Sequence, residues 1–181
     1  MTAPPAALPP VQVERARLLG AAGRAIIWIG DESLKIEGTY TIAAPRERVY
    51  ATLRDPAALQ QCIPGCQELV LQPDGRYLAR LQVGIAAVKG TFSGHVQIAD
   101  ERPPEGYRLV VEGSGGPGFV KGEATITLHE IPEGTRVEVN ADGQVGGMIA
   151  AVGQRVLLPA ARALMNQFFG SMQKRIESEA G

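Results

Sequence analysis

The stretch that most constrains this chain is its last apolar segment, Gly146-Gly147-Met148 through Ile176. At about 100° per residue, Leu157, Ala161, Leu164, Phe168, Met172 and Ile176 fall on one face. Leu158, Met165 and Phe169 widen that face to one side, and Gly153, Ala160 and Ser171 widen it to the other. Arg155, Arg162, Asn166 and Gln173 form a narrow polar stripe, expected to lie opposite. A helix of roughly 30 residues runs about 45 Å, far beyond the average length of about 11–12 residues. Pro159 removes one backbone donor inside it, so a kink is expected there and not a break. So long and broad an apolar face needs a large surface to lie on.

The preceding strands can supply that surface. Lys35–Ala43 alternates, with Ile36, Gly38, Tyr40 and Ile42 on one side and Glu37, Thr39 and Thr41 on the other, which is the pattern of a half-buried strand. Ala44-Pro45 opens a short helix with Val49, Tyr50 and Leu53 inward, and Asp55-Pro56 caps and starts a second. Cys62-Ile63-Pro64-Gly65-Cys66 ends it in a turn. Six further alternating segments follow: Gln67–Gln72, Tyr77–Val83, Val88–Ala99, Tyr107–Glu112, Phe119–Glu130 and Arg136–Gly143. Turn signals separate them, among them Pro73-Asp74-Gly75, Gly113–Gly118 and Pro132-Glu133-Gly134. Tight turns between consecutive strands imply antiparallel pairing, and seven such strands curl. The expected class is α+β: a curved seven-stranded antiparallel sheet around one long C-terminal helix, with two short helices between strands 1 and 2.

Alternation also sorts the faces. Tyr77, Ala79, Leu81 and Val83 point inward, as do Phe92, Gly94, Val96 and Ile98, then Tyr107, Leu109 and Val111. Val120, Gly122, Ala124, Ile126 and Leu128 continue the set, followed by Val137, Val139 and Ala141. Many of these are small, and a sheet wrapped on a helix with Gly and Ala inside tends to enclose a cavity. The expected lining is Tyr77, Leu81, Val83, Phe92, Val96, Leu109, Val120, Ala124 and Val139 from the strands. Met148, Leu157, Leu164 and Phe168 join it from the helix. The mouth or gate is expected at Ile63, Pro64 and Gly65 on one side, with Gly116, Phe119, Gly146 and Gly147 on the other. Met148, Met165 and Met172 suit either gap filling or an adaptable apolar pocket.

Composition excludes several classes. A net charge of -1, from 18 basic and 19 acidic residues, gives no nucleic-acid surface, and 5% aromatics make no stacking platform. No run of 18 apolar residues is present to span a bilayer. Residues 1–33 differ from the rest and form an expected extension to a domain of residues 34–178. Met1–Pro10 is proline-rich and resists regular structure, Val11–Arg24 suits a short helix, and Ala25–Ile29 is a short apolar run ended by Gly30-Asp31. No signal-peptide pattern is present. The preferred expectation is a translation start at Leu34; the rival is an amphipathic extension that touches a partner or a membrane face.

Catalytic motifs are sparse. His95 and His129 fall at outward phases and suit solvated surface positions. Cys62 and Cys66 lack the second pair that a structural zinc site needs, so no metal site is expected and redox sensing is the residual role. Gly113–Gly118 lacks the Lys-Ser/Thr of a phosphate-binding loop, and Pro117 removes one amide donor. A binding protein without catalytic residues is the expected class.

Several blocks carry a resemblance: Lys35-Ile36-Glu37-Gly38, Ile63-Pro64-Gly65-Cys66, Val88-Lys89-Gly90, Gly118–Ala124, Val145–Ala150 and Phe168-Phe169. From Leu34 to about Ile176 the chain resembles the carbon monoxide dehydrogenase CoxG family of the helix-grip, START-like superfamily. The resemblance implies a cytoplasmic accessory protein for molybdenum-containing carbon monoxide dehydrogenases and similar hydroxylases. It also implies a hydrophobic ligand such as a quinone or other isoprenoid, held without covalent attachment, and a peripheral link to the inner face of the plasma membrane. Some members carry a long C-terminal hydrophobic tail that has no counterpart here, so direct anchoring is not expected. Two alternatives stay open: a docking or recruitment factor with an incidental cavity, and, more weakly, a cyclase-like enzyme of the same fold.

Overall fold

The structure, a computed structural model, describes residues 32–85 and 88–181. The expectations for Met1–Pro10, Val11–Arg24 and Ala25–Ile29 lie outside the described residues. Element order is β1 (Glu32–Ile42), α1 (Arg46–Arg54), α2 (Pro56–Cys62), β2 (Cys66–Leu71), β3 (Tyr77–Ile85), β4 (Val88–Arg102), β5 (Gly106–Gly115), β6 (Gly118–Ile131) and β7 (Gly134–Gly146). Two helices close the chain, α3 (Met148–Ala151) and α4 (Gln154–Ala180). The strands form one seven-stranded sheet in the order β1-β7-β6-β5-β4-β3-β2, and every neighbouring pair is antiparallel.

Local chemistry explains the short helices. Asp55 accepts a hydrogen bond from the Ala57 amide at 3.0 Å, and Pro56 fills the first helical position, where no amide partner is needed. Alternating burial along β1 follows the period of two, with Leu34 and Ile42 buried and Lys35, Glu37 and Thr39 exposed.

The C-terminal segment departs from expectation in two ways. It is not one helix. It breaks at Gly153, whose φ of +78° is open to glycine and strained for other residues, and the Gly153 amide closes the end of α3 on Ala150 O at 3.0 Å. Helix α4 then runs through Pro159 for 27 residues, about 40 Å at 1.5 Å per residue. The polar stripe is also not opposite the core. Asn166 accepts from the Tyr40 hydroxyl and Gln173 from the Ala43 amide, each at 2.9 Å, so the stripe clamps that flank of α4 to β1.

The core has two main parts. Around the C-terminal half of α4, Phe169, Met172 and Ile176 pack with Val49, Tyr50 and Leu53 of α1 and with Ile126, Leu128, Val137 and Val139 of the sheet. Tyr40 stacks on Phe169 with ring centroids 4.1 Å apart. At the other end Leu157 packs with Leu34, Phe92, Val145, Ile149 and Ala150. A smaller cluster of Leu69, Tyr77 and Ala79 lies under β2 and β3.

A polar clasp ties α1 to the sheet. Arg54 donates to both carboxylate oxygens of Glu101 at 3.1 Å and to the Tyr77 hydroxyl at 3.2 Å, while the Tyr50 hydroxyl donates to Glu101 at 3.0 Å. Tyr107 packs edge-on against Tyr50, and its burial pushes its hydroxyl well above the ordinary tyrosine range. Its folded-state value therefore exceeds its unfolded value of about 10. Its contribution is full below that pH and is lost as pH rises above it. Stability should fall by up to about 1.4 kcal/mol per pH unit above pH ~10 through this group. Urea melts of Tyr107→Phe are expected to show a shallower alkaline slope than wild type; identical slopes would contradict the assignment.

Candidate functional site

Between the two main core parts the sheet and helix do not meet, and a cavity of about 290 Å³ remains. Strand alternation aims Leu34 and Ile36 of β1, Ala79, Leu81 and Val83 of β3, and Phe92 and Val96 of β4 into it. Val111, Val120 and Val145 come from β5, β6 and β7, and Ile149, Leu157, Ala161 and Leu164 form the helical side. Two causes keep it hollow. Gly94 and Gly113 face each other in register and put no side chain on the inner surface. Helix α4 also lies mainly against β1 and the two short helices, which leaves β3, β4 and β5 opposite a gap.

The chemistry of this space is uniform. Ser93, His95 and Glu112 border it from exposed strand positions whose side chains alternate to the outer face. The inward side chains are all aliphatic or phenyl. Leu164 lines the cavity yet is 37% exposed, so the cavity opens to solvent along α4.

Of the residues expected to line a cavity, Leu81, Val83, Phe92, Val96, Val120, Leu157 and Leu164 do so. The others lie elsewhere. Leu109, Ala124, Val139 and Phe168 pack into the core beside Phe169 and Met172, because α1 and the aromatic side chains fill that half. Tyr77 is buried with Leu69 and Ala79 and accepts from Arg54. Met148 is 61% exposed on α3. The sequence reading missed Leu34, Ile36, Ala79, Gly94, Val111, Gly113, Val145, Ile149 and Ala161 as lining. Inward phase marks Ile36, Ala79, Gly94 and Val111, but Gly113 reads in sequence as part of a loop, whereas β5 continues to Gly115.

The expected gate residues occupy two separate places. The Ile63-Pro64-Gly65 turn is fixed to β3, with the Gln82 amide donating to Gly65 O at 2.8 Å between the lining residues Leu81 and Val83. Gly146 lies under the Phe119 ring, and Gly147 abuts Gly118 so closely that a Cβ on it would sit 2.8 Å from the Gly118 Cα. The Ile149 amide donates to Pro117 O at 2.9 Å, which pins the tip of the β5–β6 hairpin to α3. Gly116 stands in open space at that tip. Cys62 and Cys66 are free, and burial raises both thiols above their ordinary range, which keeps them protonated near neutral pH. His129 lies 3.4 Å from Glu138 on the outer face. Among the described residues no group of three His, Cys, Asp or Glu side chains could hold a metal ion, and no helix is long and apolar enough to cross a membrane.

Comparison with solved structures gives the same architecture. A conserved protein from Geobacillus kaustophilus is 40% identical, with 80% of this chain and 96% of that one covered and a TM-score of 0.77. An uncharacterized protein from Rhizobium leguminosarum is 16% identical over 82% of this chain and 97% of its own, with a TM-score of 0.62. A Thermus thermophilus protein is also 16% identical, over 82% of this chain and all 100% of its own, at a TM-score of 0.59. These last two share the fold alone. No curated protein matches the chain. Residues 38–177 match the family described as the G-subunit of carbon monoxide dehydrogenase (CoxG). That span contains most of the sheet, both short helices, the cavity mouth and nearly all of α4, and by it the chain belongs to the carbon monoxide dehydrogenase CoxG family.

Proposed function

We propose that this protein is a non-catalytic accessory of a molybdenum-containing carbon monoxide dehydrogenase or related hydroxylase. In this reading it holds a hydrophobic molecule, a quinone or similar isoprenoid, and so links the enzyme to membrane electron transfer. Family membership supports the accessory role. The observation that carries the ligand is the cavity, whose inward side chains are all apolar and which opens to solvent beside the exposed Leu164. Those side chains offer a substrate no acid, base or nucleophile, which favours a carrier over a catalyst.

Size sets how such a ligand sits. At about 290 Å³ the cavity is at the lower end of ligand pockets, so a long tail would be held in part and leave through the mouth. Each buried CH₂ contributes about 0.8 kcal/mol, close to a fourfold gain in affinity. Titrating the protein with soluble quinones of increasing tail length is expected to show about that gain per carbon, then a plateau once the cavity is filled. Equal affinities across the series, or binding no stronger than to a surface control, would sink the carrier reading and leave a docking role.

A further inference from the structure

The cavity has a closed end and an open one. On α4 its wall runs from Leu157, 3% exposed, to Leu164, 37% exposed, a distance of about 10 Å along the helix. Around Leu157 the side chains of Leu34, Phe92, Val145 and Ile149 pack together, all buried. Among the described residues, no side chain that points into this space carries a hydrogen-bond donor. The lining strands β3 to β7 each have a neighbour on both sides, so their main-chain donors are used in the ladders.

These features decide which end of an amphiphile goes in. An apolar tail matches the walls all the way to the closed end. A quinone ring taken inside brings two carbonyl acceptors out of water with no donor to meet them, at a loss of about tenfold in affinity for each. At about 290 Å³, and with about 30 Å³ for a water-sized group, the space takes about ten such groups, or roughly two isoprene units. We propose that the ligand enters tail first: its last isoprene units fill the cavity as far as Leu157, and its polar head stays in water beside Leu164. Specificity then lies in the tail and not in the head. A head left in water is held with the same affinity whether oxidised or reduced, so the two-electron potential of the bound ring stays at its value in solution. This inference rests on the carrier reading above.

The test is calorimetric titration of the full-length protein with four probes. They are a benzoquinone carrying two isoprene units, its hydroquinone under argon, the same ring without a tail, and geraniol, the bare tail as its alcohol. The tailed quinone, its hydroquinone and geraniol are expected to agree within about fivefold, which holds the bound potential within about 20 mV of the free one. The tail-less ring should bind at least about a hundredfold more weakly. Gly113→Leu, which puts a side chain into the cavity, should weaken the tailed quinone and geraniol by the same factor. Geraniol or hydroquinone outside the fivefold range, or a tail-less ring that binds as well as the tailed quinone, overturns the orientation and leaves the carrier reading standing. Binding of none of the four overturns the carrier reading and the orientation with it.

Discussion

Met172→Ala is expected to lower the free energy of unfolding by about 2–5 kcal/mol, a large part of the roughly 5–15 kcal/mol that holds a domain together. Met172 is 0% exposed at the centre of the larger core part, where α4, α1 and the sheet converge. Phe169, Ile176, Val49 and Val137 surround it there, all buried. A shortened side chain leaves a void that these well-ordered neighbours cannot all close, so the cavity adds to the lost transfer free energy. Leu164→Ala supplies the contrast. Leu164 sits on the same apolar arc of α4, but it already borders empty space and solvent. Its truncation should cost less than about 1 kcal/mol, near the range of surface substitutions. Urea melts of the two variants check the difference, and an equal cost for both would contradict a helix packed at one end and standing off at the other.

Gly113→Leu is expected to weaken binding of any apolar ligand by at least tenfold while the protein stays folded. A Cβ placed at Gly113 meets only ordinary contacts, the nearest being Ser93 O at 3.6 Å. The position is in phase with Val111 and borders the cavity, so a leucine side chain there occupies ligand space. Displacing three or four methylenes of ligand amounts to about 2–3 kcal/mol at 0.8 kcal/mol each, which is about 30-fold or more. Its register partner Gly94 is unsuitable for the same purpose, because a Cβ there would lie 2.1 Å from Glu112 O. Thermal melts confirm folding, and a quinone titration reads the effect. Wild-type affinity in a folded Gly113→Leu protein would move the ligand out of this cavity.

Much of the architecture was legible because strand alternation is a short-range signal. From Tyr77 to Ala141 the period of two placed each strand and its inner face, and the turns fell where Gly, Pro and Asp cluster. The split between α3 and α4 was not legible. Gly153 fits the small side of an amphipathic helix as well as it fits a break, and only its positive φ separates the two. The cavity was half legible for a related reason. Phase tells inside from outside, but not which inside positions are filled. Leu109 and Val111 lie two apart on the same face of β5, yet one packs toward Phe169 and Met172 and the other borders the cavity. What decides between them is where α4 lies, and that is set by contacts distant in sequence, such as Tyr40 with Asn166 and Ala43 with Gln173.

The most direct test of the carrier reading is mass spectrometry of organic extracts from the protein purified out of its native host. A quinone or other isoprenoid recovered in near-stoichiometric amount, and lost from the Gly113→Leu protein, is the result expected. An extract with no apolar ligand, from protein that also binds added quinone no better than a surface control, would contradict it and leave docking on the dehydrogenase as the function to pursue.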